Sequence, residues 1–253
     1  MPTRAAVLRC SQMAWARWAL AASMALAGFG LPTPVLAGKA GEVTDLSGVV
    51  VVRKADGQSR VLAVKSDVEE GDVVATTGNS YARVKFADGT QAVLRPGAQV
   101  KVVAFRFEEQ QPKQDNVVLS LLKGGMRIVT GLSGKRNPEG FRVETPSAIV
   151  GIRGTNFGLQ FCRDDCAQLV TARGGAPANG LHADVSDGAI SLRTQAGSLV
   201  IGIGQFAFVQ GPAMLPVLLS PREGTRIVLP PQAVSPLRHG GTVGEGGGLE
   251  CEI

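Results

Sequence analysis

The sequence predicts an all-β fold: a short-strand sandwich, jelly roll or solenoid-like β-roll with an irregular C-terminal tail. Three observations carry this. Period-two alternation recurs, as in Tyr81-Ala82-Arg83-Val84-Lys85-Phe86. Turn signals recur at the roughly 8–12-residue spacing of sandwiches and barrels. No stretch between 38 and 211 carries a long, capped helical period. The 33 glycines suit tight turns rather than long helices.

The elements follow in order. Val49–Val52 is a β-branched run, and Asp56-Gly57 closes it into a hairpin. Tyr81–Phe86 puts Ala82, Val84 and Phe86 on one face, and Asp88-Gly89 turns the chain into Thr90–Leu94. Pro96-Gly97 ends that strand. Val100–Phe107 follows, then a polar loop over 110–116. Val117–Leu122 and Met126–Thr130 read as two strands separated by Lys123-Gly124-Gly125. Phe141–Glu144 and Ala148–Phe161 come next. Gly151, Gly154 and Gly158 inside the latter indicate bulges or close backbone approach. Arg173–Gly180 is a loop. Val185–Gln210 reads as strand, Asp187-Gly188 turn, strand, glycine, strand. Gly48 through Leu62 loosely echoes Gly188 through Leu199, as a repeated strand-turn-strand unit would.

The organisation is expected to be a signal peptide over 1–37, an all-β domain over 38–211 and a Pro/Gly-rich tail over 212–253, partly disordered. The first segment has a basic n-region (Arg4, Arg9, Arg17), an apolar run from Trp18 to Leu31, and Val35-Leu36-Ala37 at the cleavage position. Met13 is an alternative start, and an uncleaved membrane anchor is the alternative reading of the apolar run. In the tail, Met214–Leu219 and Ile227–Leu229 could dock as edge strands.

Composition then excludes several functions. Removal of the segment takes three of the 26 basic residues and none of the 21 acidic ones, so net charge falls from +5 to +2. Both tryptophans, Trp15 and Trp18, leave as well. Nucleic-acid binding is therefore not expected: charge is nearly balanced and no stacking platform is present. Only two histidines, His182 and His239, are present, which argues against histidine-based catalysis and multi-histidine metal sites. No cofactor and no metal are expected.

Few residues suggest chemistry. Cys162-Arg163-Asp164-Asp165-Cys166 fits a three-residue hairpin loop between strands ending at Phe161 and starting at Ala167, a spacing suited to a disulfide in an oxidising compartment. A redox switch or a pair of thiolate metal ligands are the alternatives, and Cys251 is left over. Asp67, Glu69, Glu70 and Asp72 read as a solvated turn and lack the spacing of a calcium loop. Gly202-Ile203-Gly204-Gln205-Phe206-Ala207 mimics a dinucleotide fingerprint, but a strand rather than a helix follows, so a turn is expected. Gly131–Arg136 reads as a solvated loop. Glu108-Glu109 fails as a glycosidase pair, because adjacent strand residues point to opposite faces.

Thr145-Pro146-Ser147-Ala148-Ile149-Val150-Gly151-Ile152-Arg153-Gly154-Thr155-Asn156-Phe157 is the most distinctive stretch. Arg153 lies among apolar and glycine neighbours. It is either a buried pin that bridges strands through carbonyl or carboxylate partners, or a contact to a ligand carboxylate or a partner.

This stretch resembles the signature of the FecR-type extracytoplasmic (periplasmic) domain, named for a ferric-citrate regulator. The resemblance also rests on Gly71-Asp72 with Thr76, Asp88-Gly89-Thr90, Leu121 with Gly125-Met126-Arg127, Val185 with Asp187-Gly188, and Gly204-Gln205, covering about 41–209. It implies an all-β extracytoplasmic domain without catalytic residues. Thr145, Pro146, Gly151, Arg153, Gly154 and Thr155 are then structural or partner-contact residues. The expected function is a secreted or periplasmic, non-enzymatic binding module, sensory or envelope-associated, with another envelope protein or cell-envelope component as partner. The alternatives are a membrane-anchored regulator of extracytoplasmic sigma-factor signalling and an envelope-glycan enzyme. Membrane contact would run through an uncleaved signal segment alone.

Overall fold

The computed structural model describes residues 38–171 and 173–227. The expected signal peptide, Cys10, His239, Cys251 and the end of the tail lie outside the described residues. The chain is all-β, as expected. Fifteen strands form one hydrogen-bonded sheet. They are β1 (Lys39–Ser47), β2 (Val50–Arg53), β3 (Ser59–Val61), β4 (Asp67–Glu69), β5 (Val73–Thr76), β6 (Tyr81–Phe86), β7 (Gln91–Leu94), β8 (Gln99–Arg106), β9 (Asn116–Val129), β10 (Phe141–Glu144), β11 (Ile149–Cys162), β12 (Gly180–Arg193), β13 (Ser198–Gly202), β14 (Phe206–Val209) and β15 (Val217–Leu219). Among the described residues the helices are single turns, one of them α1 (Leu132–Arg136).

The expected turns at Asp56-Gly57 and Asp88-Gly89 are hairpins. They join β2 to β3 and β6 to β7. The two echoing units are likewise hairpins, β2–β3 and the pairing of β12 with β13.

Three strands depart from the expected short pattern. β9, β11 and β12 are 14 residues long, and each changes partners midway. β9 pairs with β8 and, in parallel, with β10 along its first half. Along its second half it pairs with β7 and β11. So 117–122 and 126–130 are one strand, which continues through Lys123-Gly124-Gly125. β12 likewise runs through Asp187-Gly188, pairing with β14 before that point and with β13 after it. Gly188 is a corner rather than a turn. Its φ is +74°, and a Cβ there would collide with the Gly154 carbonyl oxygen of β11. Glycine thus lets the two strands bend together, and the β11–β12 register shifts at this corner between Arg153 and Phe157.

The bends wrap the sheet around one apolar core. Residues from β1 to β14 share it, among them Val43, Val84, Leu119, Ile128, Phe141, Phe157, Leu159, Leu192 and Ile201. Chain past Pro212 returns to this sheet. Val217–Leu219 pairs with β14 at an edge, as expected, and Ile227 is fully buried.

Candidate functional site

Arg153 is exposed, so it is not the buried pin. The buried bridging arginine is Arg127 on β9, 7% exposed. Its Nη2 donates to Asp184 Oδ2 of β12 at 2.6 Å, and its Nη1 donates to Asn156 Oδ1 at 2.8 Å and Ser186 Oγ at 2.9 Å. Its Nε donates to the Ile227 carbonyl oxygen at 2.9 Å, and the Ile227 N–H donates to Asp184 Oδ1 at 2.9 Å. Arg127 therefore ties β9, β11, β12 and the returning chain together. Gly158 lies under this cluster, where a Cβ would meet Asp184 Oδ1 and Ile227. The sequence carried two signals for Arg127: its place in the Gly125-Met126-Arg127 part of the resemblance, and a cation between buried-type neighbours Met126 and Ile128.

The other signature residues divide between turn and surface. Thr145 closes the β10–β11 turn. Its Oγ1 accepts the Ala148 N–H at 3.0 Å and donates to the Ala148 carbonyl at 2.8 Å. The Thr155 N–H donates to Thr130 Oγ1 at 2.8 Å, which anchors β11 to the end of β9. Gly151, Arg153 and Gly154 reach the surface and line two adjoining clefts.

One cleft, of about 420 Å³, lies on the outer face of β10 to β13. Register aligns its residues in rows. Arg142, Gly151, Ser191 and Val200 lie across four strands. Beside them run Glu144, Ile149, Arg193 and Ser198, and on the other side Arg153, Ala189 and Gly202. Three arginines thus surround a floor of Gly151, Ser191 and Ala189. The adjoining cleft, of about 580 Å³, adds Lys135 and shares Pro138, Glu139 and Arg153. Arg142 pairs with Glu144 at 3.0 Å. Among the described residues, no carboxylate lies within ion-pair distance of Arg153 or Arg193, Glu139 included.

Other expectations resolve as follows. Cys162 and Cys166 form a disulfide, with Cα atoms 5.4 Å apart. No strand begins at Ala167. Among the described residues no strand lies between Cys162 and Gly180, so the bridge closes a bend at the end of β11. The acidic run is not simply a solvated turn. Asp72 is buried against Lys54 Nζ at 3.1 Å, Glu69 pairs with the same lysine at 2.9 Å, and Asp67 pairs with Lys39 at 2.7 Å. These acids are spent on structure. Gly131–Arg136 is not a loop but contains α1. Its Arg136 Nε donates to buried Asp115 Oδ2 at 2.7 Å, and its Nη groups hold the Glu108 and Glu109 carbonyls. Burial, the largest single influence, would raise the Asp115 pKa, but the Arg136 hydrogen bonds, the Glu108 N–H and the Arg136 charge together hold the carboxyl below its ordinary value. Gly202–Gln205 is a strand turn, as expected, with Gln205 Oε1 accepting the Gly202 N–H at 2.7 Å. His182 is buried beside the Phe208 ring, its Nε2 2.8 Å from the Ala178 carbonyl. Burial lowers its pKa. Among the described residues, no group of three or more His, Cys, Asp or Glu could hold a metal ion. No helix among them is long and apolar enough to cross a membrane.

Residues 72–176 match the family model described as FecR protein. This is shorter than the stretch expected from the signature, and it includes Arg127, the disulfide and the β11 side of the cleft. No curated protein sequence matches the chain. Two crystal structures of a proposed anti-sigma factor from Parabacteroides distasonis ATCC 8503 are similar to it. One has 15% identity and a TM-score of 0.43, the other 14% and 0.42, and each match covers 58% of both chains. The chain therefore spans little more than half the length of those proteins. A structure described as a cell surface anchoring domain shares 33% identity over 25% of this chain and 84% of its own, with a TM-score of 0.25. On the family match, the segment 72–176 belongs to the FecR family.

Proposed function

We propose that this chain is an extracytoplasmic, non-enzymatic binding module of the FecR family, and that it recognises another envelope protein through the face made by β10 to β13. One observation carries this reading. The signature residues Gly151, Arg153 and Gly154 are spent at an open cleft rather than in the core, and the core's arginine function falls to Arg127. Exposed arginine on a rigid sheet beside small residues suits recognition. The Cys162–Cys166 bridge suits an oxidising compartment. Among the described residues outside the cleft, Asp72, Asp115, Arg127 and Asp184 serve as structural partners.

Fractionation of cells expressing a tagged chain tests the compartment. The expected result is a shortened protein in the periplasmic or secreted fraction, with a mass that starts at Gly38. Full-length protein in the membrane fraction would replace this reading with the anchored regulator. Full-length protein in the cytosol would overturn both.

A further inference from the structure

We propose that the cleft between β10 and β13 binds an extended acidic peptide segment of a protein partner, with Arg153 and Arg193 taking its carboxylates and the free edge of β13 taking its backbone. This deepens the reading above and rests on it for the partner being a protein.

Charge sets the ligand's sign. Arg142, Arg153, Arg193 and Lys135 stand around the two clefts against Glu139 and Glu144, and Glu144 already pairs with Arg142. Arg153 and Arg193 are exposed cations with no carboxylate in reach among the described residues. Guanidinium groups in this state offer forked donors to a carboxylate.

Spacing sets the ligand's length. Arg142 on β10 and Arg193 on β12 stand two strands apart, about 10 Å. Arg153 is offset along β11 by two residues from Gly151, the cross-strand partner of Arg142. The backbones of these arginines are thus spread over three strands around one cleft. A chain with carboxylates at intervals matches that backbone spacing.

The remaining features favour a peptide over an acidic glycan. Val200 on β13 is 66% exposed and lies in the same cross-strand row as Arg142 and Ser191. An apolar side chain can cover it. β13 pairs only with β12 among the described residues; Gly202 exchanges hydrogen bonds with Gln205, and the rest of the far edge presents N–H and C=O groups next to the cleft. An added strand satisfies these groups, and alternate side chains then turn toward the arginines.

The probe is a fluorescein-labelled peptide of three threonine-glutamate repeats, titrated into the oxidised chain with fluorescence anisotropy as readout. The threonine-glutamine counterpart serves as control, with inorganic phosphate and polygalacturonate as competitors. The glutamate peptide is expected to bind at least about tenfold more tightly than its glutamine counterpart. Arg153→Gln and Arg193→Gln should each weaken it at least about fivefold. Arg53→Gln, on β2 outside the cleft, should leave it unchanged. Amide shifts should move in Ser198–Gly202. Both cleft arginines are exposed, so unchanged unfolding midpoints show that the variants are folded. Equal binding of the two peptides, or insensitivity to both cleft substitutions, overturns the proposal. So does binding of polygalacturonate or phosphate alone, or no binding at all. Because the assay uses purified protein, such a failure leaves the compartment result standing, and a cytosolic localisation leaves the peptide result standing.

Discussion

Arg127 and Arg153 sit on neighbouring strands with opposite fates, and the difference explains what local sequence can reveal. Both are cations among apolar residues. Arg127 is buried because Asp184, Asn156, Ser186 and the Ile227 carbonyl converge on it from distant parts of the chain. Arg153 faces solvent because β11 bends at Gly154 and no acid is placed opposite it. Local sequence showed an unusual arginine at 153. It could not show which arginine had partners, because those partners are 29 to 100 residues from Arg127. Arg127→Met leaves the Asp184 carboxylate buried and unpaired, and should cost roughly 3–5 kcal/mol in urea unfolding. Arg127→Met combined with Asp184→Leu should cost less than the sum of the two single changes. Gly158→Ala should also lower stability, since its Cβ meets Asp184 and Ile227. Legible from sequence was only that the Gly158 backbone is closely approached. His182 adds a pH dependence. Its pKa is lowered from its ordinary value of 6.5, first by burial, against a smaller opposing pull from the Ala178 carbonyl. The unfolded chain therefore binds the proton more readily. Stability should be full above about 6.5 and fall as the pH drops from there through the folded-state value. Thermal melts across pH 7.5 to 4.5 test this, and His182→Phe should flatten that part of the profile.

At the scale of elements, hairpins were readable and corners were not. Asp56-Gly57 and Asp88-Gly89 sit between short alternating runs, and both are hairpin turns. Asp187-Gly188 has the same chemistry, yet the strand continues through it. The deciding fact is the nearby bend of β11 at Gly154, which is non-local. The same reasoning joins 117–122 to 126–130 across Gly124. Local chemistry did suffice for Cys162 and Cys166, because four residues of chain already bring their Cα atoms within reach of a bond. Replacing both with serine should lower stability by about 2 kcal/mol, the loop-closure value for so short a loop. Urea unfolding of the Cys162→Ser/Cys166→Ser chain checks this. Helix α1 was missed because a five-residue turn carries too little period to detect. The Arg136–Asp115 contact that holds it spans 21 residues.

For the whole molecule, the sheet assigns its charged residues to two different roles. Arg127, Asp184, Asp72, Lys54, Asp115 and Arg136 hold strands and returning chain together, partly or wholly out of solvent. Arg153 and Arg193 are left over on one outer face, beside small residues and a free strand edge. The all-β class was legible because it depends on local alternation and turn chemistry. The position of the proposed binding face was not, since it depends on the register of four strands drawn from 141 to 202.

The central claim is that this face meets a partner in the cell envelope. The most direct measurement is in-cell photo-crosslinking, with a photoreactive amino acid placed at Val200 in one chain and at Val61 on β3 in another. The account predicts one defined adduct with an envelope protein from position 200, lost when Arg153 and Arg193 are both changed to glutamine, and no such adduct from position 61. Identical adducts from both positions, or an adduct at 200 that survives loss of both arginines, would contradict it.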